Sequence, residues 1–379
     1  MRGFRIATIG GIPVELHPSW LLIAALLVVG LDASLFSQAI PEGGWRSTLW
    51  AVGTAALFFG SLLLHELAHA LVSQKLGLPV RRIVLFLFGG VSEARQEMPS
   101  PGAEFRIAIA GPLTSFALAL LFLMLGSLGV RGEQVGPGAL ACGWLALVNT
   151  VLGTFNLLPG FPLDGGRILR ATLWRLTGRQ DRATRWAARG GQLIAGLIVF
   201  VGLMRLFTGE WFGALWLGML GLLLMGAAGR ELETLEVREL LDEVGVGRLM
   251  LPPSRVLDPD MTLQEAIDST FSQSRDGGFP VVDGHLTGVL EGRQIQEVPP
   301  ESWPRLRVSQ LMTPIDEEQA LEPGTRASVA IERFQELGLE RLPVVEDGRV
   351  VGVVTQADVI RYLAFHPVRS GEAAEQEQG

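Results

Sequence analysis

The first 230 residues contain six apolar runs, at about 18–38, 47–75, 105–130, 139–158, 190–207 and 211–229. A helix needs roughly 17–25 apolar residues to cross the hydrocarbon core of a bilayer. Backbone in that core must satisfy its own hydrogen bonds, which helices do. The runs therefore predict an α-helical polytopic membrane domain of about six transmembrane helices, with the lipid bilayer as its first partner. A mean hydropathy of +0.35, high for a soluble chain, agrees. After Arg230 the pattern breaks: "RELETLEVRELLDEVGVGRLM" is charged, and the chain beyond it has the character of soluble α/β sequence. The expected organisation is a membrane domain over 1–230, a linker over 231–245, a soluble region over 246–367 and a polar, disordered tail over 368–379.

Lysine and arginine in short loops set orientation. Arg2 and Arg5 precede the first run; Lys75, Arg81, Arg82 and Arg95 follow the second. Arg167, Arg170, Arg175, Arg179, Arg182 and Arg185 follow the fourth, whereas the intervening loops carry only Arg46, Arg131 and Arg205. This alternation predicts a multi-pass protein of the cell membrane, in a bacterium the inner membrane, with both termini and the soluble region in the cytoplasm. The N-terminus "MRGFRIATIGGIPVELHPSW" lacks a small-residue cleavage site after a short apolar stretch, so the first run is expected to be retained. Cys142 is the sole cysteine, which excludes an intrachain disulfide and gives no reason to invoke an oxidising compartment. A formal net charge of −8 gives no reason to expect a nucleic-acid partner.

The second run contains "SLLLHELAHALVSQKLG". Ionisable groups are costly at the centre of a membrane helix and usually mark function. His65 and His69 are four apart, so a helix puts both imidazoles on one side, the spacing that suits two nitrogen ligands of a tetrahedral zinc ion. Glu66 lies beside that face, placed to take a proton from a water activated by the metal. The alternative is a His and Glu set that hydrogen-bonds neighbouring helices. A catalytic zinc site needs a third protein ligand and one open position. The candidate is Asp164, in "NLLPGFPLDGGRILR". Pro159 and Pro162 should end the fourth helix, Gly165 and Gly166 should permit a tight turn, and Asp164 should sit at that reversal with its carboxylate aimed inward. The topology puts it on the same side as the end of the second run.

HELAH in a second membrane helix followed by N-x-x-P-x-x-P-L-D-G-G resembles the site-2 protease family of intramembrane zinc metalloproteases, over roughly residues 1–230. The resemblance implies one zinc ion held by His65, His69 and Asp164, with Glu66 as general base and Asn156 holding substrate or the developing oxyanion. "AIAGPLTSF" is similar to the family's A-G-P segment at Gly111 and Pro112, but Ser115 stands where asparagine is usual. "VRRIVLFLFGGVSEARQE", with a break at Gly89 and Gly90, is expected to form a hairpin at the membrane face. Family members have such a segment, and its edge could pair with an unwound substrate; an ordinary amphipathic hairpin is the alternative. His17 is taken as a helix-boundary residue.

Residues 246–300 and 308–367 repeat one pattern: a leading Leu-Met, a helix, F/L-P-V-V, an Asp-Gly turn and Gly-Val. This resembles a tandem pair of CBS domains, an α/β pseudodimer. Such pairs often hold an adenine nucleotide through a T-x-x-D hydroxyl and carboxylate, here Thr355 and Asp358. The first copy has Glu291 and Gln294 instead, which should leave one usable site. The alternative for the pair is a structural or homodimerising module. The expected function is an intramembrane zinc endopeptidase that cleaves single-span, membrane-anchored regulatory proteins and is controlled through its CBS pair. The alternatives are a CBS-regulated transporter or an inactive protease-like scaffold; the first predicts ionisable groups dispersed over several spans, the second the loss of a ligand or the base.

Overall fold

A computed structural model describes residues 3–40, 44–86, 89–94, 98–131, 134–274, 276–316 and 319–366. The tail over 368–379 lies outside the described residues. The chain divides into two compact units, Met1–Leu232 and Glu233–Gly379.

Six segments among the described residues are helical, long and apolar enough to cross a membrane: Ser19–Ala39, Trp45–Lys75, Pro101–Leu128, Pro137–Asn156, Gln180–Phe207 and, continuing into the second unit, Trp211–Asp242. The first consists of α1 (Ser19–Leu31), a π turn and the short α2 (Ser37–Ala39). The others are α3 (Trp45–Lys75), α4 (Pro101–Leu128), α5 (Pro137–Asn156), α7 (Gln180–Phe207) and α8 (Trp211–Asp242). Helix α4 starts where Ser100 accepts a hydrogen bond from the Ala103 amide and Pro101 occupies the first turn, which lacks partners for its N–H groups anyway. A two-stranded ribbon of β5 (Val130–Arg131) and β6 (Gln134–Val135) joins α4 to α5.

The expected hairpin is present as β3 (Val80–Phe86) and β4 (Gly89–Ala94), paired antiparallel. It belongs to a larger sheet. The N-terminus forms a second hairpin, β1 (Phe4–Ile9) and β2 (Ile12–Leu16), turned by Gly10 and Gly11 at positive φ. Strand β2 lies parallel to β3, giving the order β1-β2-β3-β4 with β4 at an edge. Ile12, Ile83 and Leu85 pack with Leu67 and Ala70 of α3, so the sheet is seated against the helix that carries the histidines. Glu15 and Arg82 tie β2 to β3 at 3.0 Å. One expectation is corrected: Gly89 and Gly90 are not the break between strands but the first residues of β4, paired with Phe86 and Leu85. Residues 87–88 lie outside the described residues.

A second correction concerns the segment after α5. The sequence suggests a turn at Gly165–Gly166 and a basic loop beyond it. Instead Asp164 opens an amphipathic helix, α6 (Asp164–Thr177), closed by Gly178 in the left-handed region. The two glycines serve close packing rather than a turn. A Cβ on Gly165 would overlap the carbonyl oxygens of Leu157 and Leu158, and one on Gly166 would overlap the Gly160 backbone.

The second unit contains two copies of one motif. The first has α9 (Leu263–Ala266), β7 (Gly278–Asp283), β8 (His285–Glu291) and α10 (Gly292–Gln296). The leading segment of the second copy forms α11 (Val308–Leu311) and β9 (Thr313–Pro314), followed by α12 (Ala327–Leu337), β10 (Arg341–Glu346), β11 (Arg349–Thr355) and α13 (Gln356–Phe365). The copies exchange their leading segments: Leu251 bridges Val353 of the second copy, while Thr313–Pro314 pairs with β8 of the first. Matching parallel bridges, Leu257 to Val281 and Leu321 to Val344, bear out the internal repeat.

Candidate metal centre

Helix α3 presents His65 and His69 on one buried face, and α6 brings Asp164 to them across 99 residues of sequence. Asp164 Oδ2 lies 3.3 Å from His65 Nε2 and 3.2 Å from His69 Nε2, and the two Nε2 atoms are 3.3 Å apart. This is the one group of metal-ligating side chains of its kind among the described residues. Ligands about 2.0–2.1 Å from a tetrahedral ion are separated by about 3.3–3.4 Å. The observed triangle has that size.

The outer nitrogens decide what the inner ones can do. His69 Nδ1 lies 2.7 Å from the Ile107 carbonyl oxygen, which only accepts, so the ring proton is on Nδ1. Nε2 then presents a lone pair to the triangle. His65 Nδ1 lies 2.8 Å from Ser115 Oγ, which can accept in the same way. Two lone pairs and a carboxylate converging at 3.3 Å repel unless a cation lies between them, and the residues fit zinc for that reason. Such outer partners orient metal-ligating imidazoles and raise their basicity. Ser115, left without a role by the family resemblance, thus has one here.

Helix α4 passes close enough to roof the site. A Cβ on Gly111 would overlap Nε2 of both histidines, which explains a glycine in the middle of this apolar helix.

Each of the other expected site residues has a definite place. Glu66 is half-buried on α3, one position past His65, within electrostatic reach of both histidines, Asp164 and Arg167. Asn156 is the last residue of α5, and its amide donates to the Leu152 carbonyl at 3.0 Å, back along its own helix rather than into the triangle. Gly89 and Gly90 lie on edge strand β4. His17 Nδ1 pairs with Ser19 Oγ at 2.8 Å just before α1 and is not one of the grouped metal-ligating residues.

In the CBS-like unit, Thr355 and Asp358 form a capping box at the start of α13. Asp358 Oδ2 accepts from the Thr355 amide at 3.0 Å and hydroxyl at 2.6 Å. Both residues line a cleft with Ser254, Arg255 and Arg341, but its free space is only about 50 Å³. In the first copy, Glu291 accepts from the Glu340 amide at 2.8 Å, while Gln294 donates to the Leu311 carbonyl at 2.9 Å and to Thr313 Oγ1 at 3.1 Å. Those two side chains are committed to internal contacts.

Fold and ligand set together define a membrane-embedded, site-2-protease-like zinc metalloprotease carrying a CBS pair. Residues 53–136 and 133–198 match Peptidase family M50, and 246–298 and 308–365 match the CBS domain. Rip3 of Mycobacterium tuberculosis, whose name proposes a zinc metalloprotease, is 35% identical over 97% of this chain and 94% of its own length. Zinc metalloprotease MJ0392 of Methanocaldococcus jannaschii is 29% identical over 95% of this chain and 96% of its own. The site-2 protease structure from the same archaeon is 31% identical and aligns with 61% of this chain and 95% of its own length at a TM-score of 0.43. The chain belongs to peptidase family M50.

Proposed function

We propose that the protein is an intramembrane zinc endopeptidase in which His65, His69 and Asp164 hold one zinc ion and Glu66 is the general base. The observation that carries this reading is the ligand triangle with edges of 3.2–3.3 Å, anchored from outside by Ile107 and Ser115. When bound, zinc supplies a Lewis acid that makes water acidic near neutral pH and polarises a peptide carbonyl. Glu66 accepts the proton of the attacking water. The water oxygen adds to the carbonyl carbon, and the carbon–nitrogen bond breaks as Glu66 returns the proton to the departing amine. Asn156 steadies the carbonyl oxygen as negative charge develops there, which requires its amide to leave the Leu152 carbonyl. The β4 edge, including Gly89 and Gly90, takes the backbone hydrogen bonds that substrate loses on unwinding.

Substrates on this reading are single-span, membrane-anchored regulatory proteins, cut near the cytoplasmic face. On this reading both termini and the CBS pair face the cytoplasm, the side that the Lys and Arg distribution supports. The CBS pair modulates cleavage through one adenine-nucleotide site at Thr355 and Asp358. The cleft is far below the several hundred Å³ of a ligand pocket, so occupancy must displace Arg255 or Arg341. Glu66→Gln tests the core of the proposal. Purified in detergent with a membrane-anchored peptide substrate, it should hold zinc in wild-type amount and cleave at less than about one hundredth of the wild-type rate. Near-normal proteolysis would refute Glu66 as the base.

A further inference from the structure

Glu104, in the first turn of α4, is fully buried. Arg170 of α6 reaches its Oε1 with Nε at 2.7 Å and Nη2 at 2.5 Å. The same guanidinium lies over the Phe161 ring at 5.1 Å, and the Phe161 amide donates to the Ala187 carbonyl of α7 at 3.0 Å. Glu104 Oε2 is buried without a partner among the described residues. A buried ion pair is poor value as a stabiliser, since well-packed apolar groups often do as well or better. Its location suggests another use.

The pair joins the two helices that complete the histidine site. Helix α4 supplies the Ile107 carbonyl, one turn after Glu104, together with Gly111 and Ser115; α6 supplies Asp164. Six residues separate Asp164 from Arg170, or about 9 Å of helix. We propose that Glu104 and Arg170 are positioning residues that fix the Asp164 carboxylate against His65 and His69, an inference that rests on the zinc reading above. Metal–ligand distances tolerate only about ±0.2 Å. A slide or roll of α6 against α4 by even about 1 Å would therefore detune the third ligand. Arginine suits the task because its rigid fork puts two donors on one oxygen while its face stacks on an aromatic ring; lysine can do neither.

The test uses the full chain in detergent. Arg170→Lys and Glu104→Gln should each weaken zinc, measured against a competing chelator, by about ten- to a hundredfold. Loaded with saturating cobalt(II), each should show a ligand-field spectrum shifted from wild type, because the carboxylate is misplaced. A purely structural pair would lower the melting temperature and leave the saturated spectrum unchanged; that result overturns the proposal. Should either single variant fail to fold, Glu104→Gln/Arg170→Gln removes both charges, keeps an amide pair and must show the same spectral shift. A wild-type protein that binds no metal at one per chain would instead overturn the zinc reading itself.

Discussion

Gly111→Ala is a small change aimed at the centre of the site. An added Cβ falls well inside van der Waals contact with Nε2 of both His65 and His69. Carbon–nitrogen contact requires about 3.5 Å, so each ring would have to retreat by roughly 1 Å. His69 cannot do so freely, because Nδ1 is held at 2.7 Å by the Ile107 carbonyl, on the same helix as the new methyl. A displacement several times the tolerance of about 0.2 Å should weaken zinc by at least about a hundredfold. Helix propensity works in the opposite direction, since alanine favours an interior helical position over glycine by about 1 kcal/mol. The fold should therefore survive while metal is lost. Zinc content by elemental analysis and affinity by chelator competition read the first quantity, and helicity by circular dichroism reads the second. Gly53→Ala, on α3 with open space where its Cβ would go, is the control. Wild-type zinc affinity in Gly111→Ala would refute both the assigned ligand triangle and the roofing role of α4.

Asp164→Asn should keep the fold but lower zinc affinity, because a neutral amide replaces a charged ligand; unchanged affinity would move the third ligand elsewhere. In the CBS unit, titration calorimetry with ATP, ADP and AMP should find one site, and Asp358→Ala should weaken it about ten- to a hundredfold. Gln294→Ala should change little, since that side chain already serves Leu311 and Thr313; two equivalent sites would contradict this asymmetry. Glu265 is held below the ordinary carboxylate range by hydrogen bonds from the Thr262 amide, at 2.8 Å, and hydroxyl, at 2.9 Å. A depressed carboxyl contributes stability above its unfolded pKa and loses it as pH falls through the folded value. Glu265→Gln should thus melt lower than wild type at neutral pH and equally below the carboxylate range; a difference that persists in acid would point to some other cause.

The six spans were legible because bilayer thickness imposes a length on each. The shared face of His65 and His69 was legible because a four-residue spacing on a helix dictates it. Contacts made by packing were not. The hairpin Phe4–Leu16 carries only five or six residues per strand, and its partner β3 lies beyond two spans. Helix α6 has the charge of a basic loop because Arg167, Arg170 and Arg175 lie within it, whereas Arg170 pairs with the buried Glu104. Glu104 itself sits just outside the apolar run, where a charge draws no notice. Gly165 and Gly166 looked like turn residues because only the three-dimensional path of 157–161 shows what their missing side chains avoid.

Among the described residues, strand β4 leaves one row of peptide groups without a neighbouring strand in its sheet. An edge of this kind is indifferent to side-chain identity, because every residue except proline offers it the same amide and carbonyl. If substrates dock there, selection shifts from sequence to conformational frailty: a transmembrane helix qualifies by how cheaply it comes apart. Glycine lowers that threshold by about 1 kcal/mol and proline by about 3 kcal/mol relative to alanine. The cleavable segments would then share no consensus, only a weak point at the right depth. Short extended peptides with strong β-propensity would compete for the edge whatever their sequence.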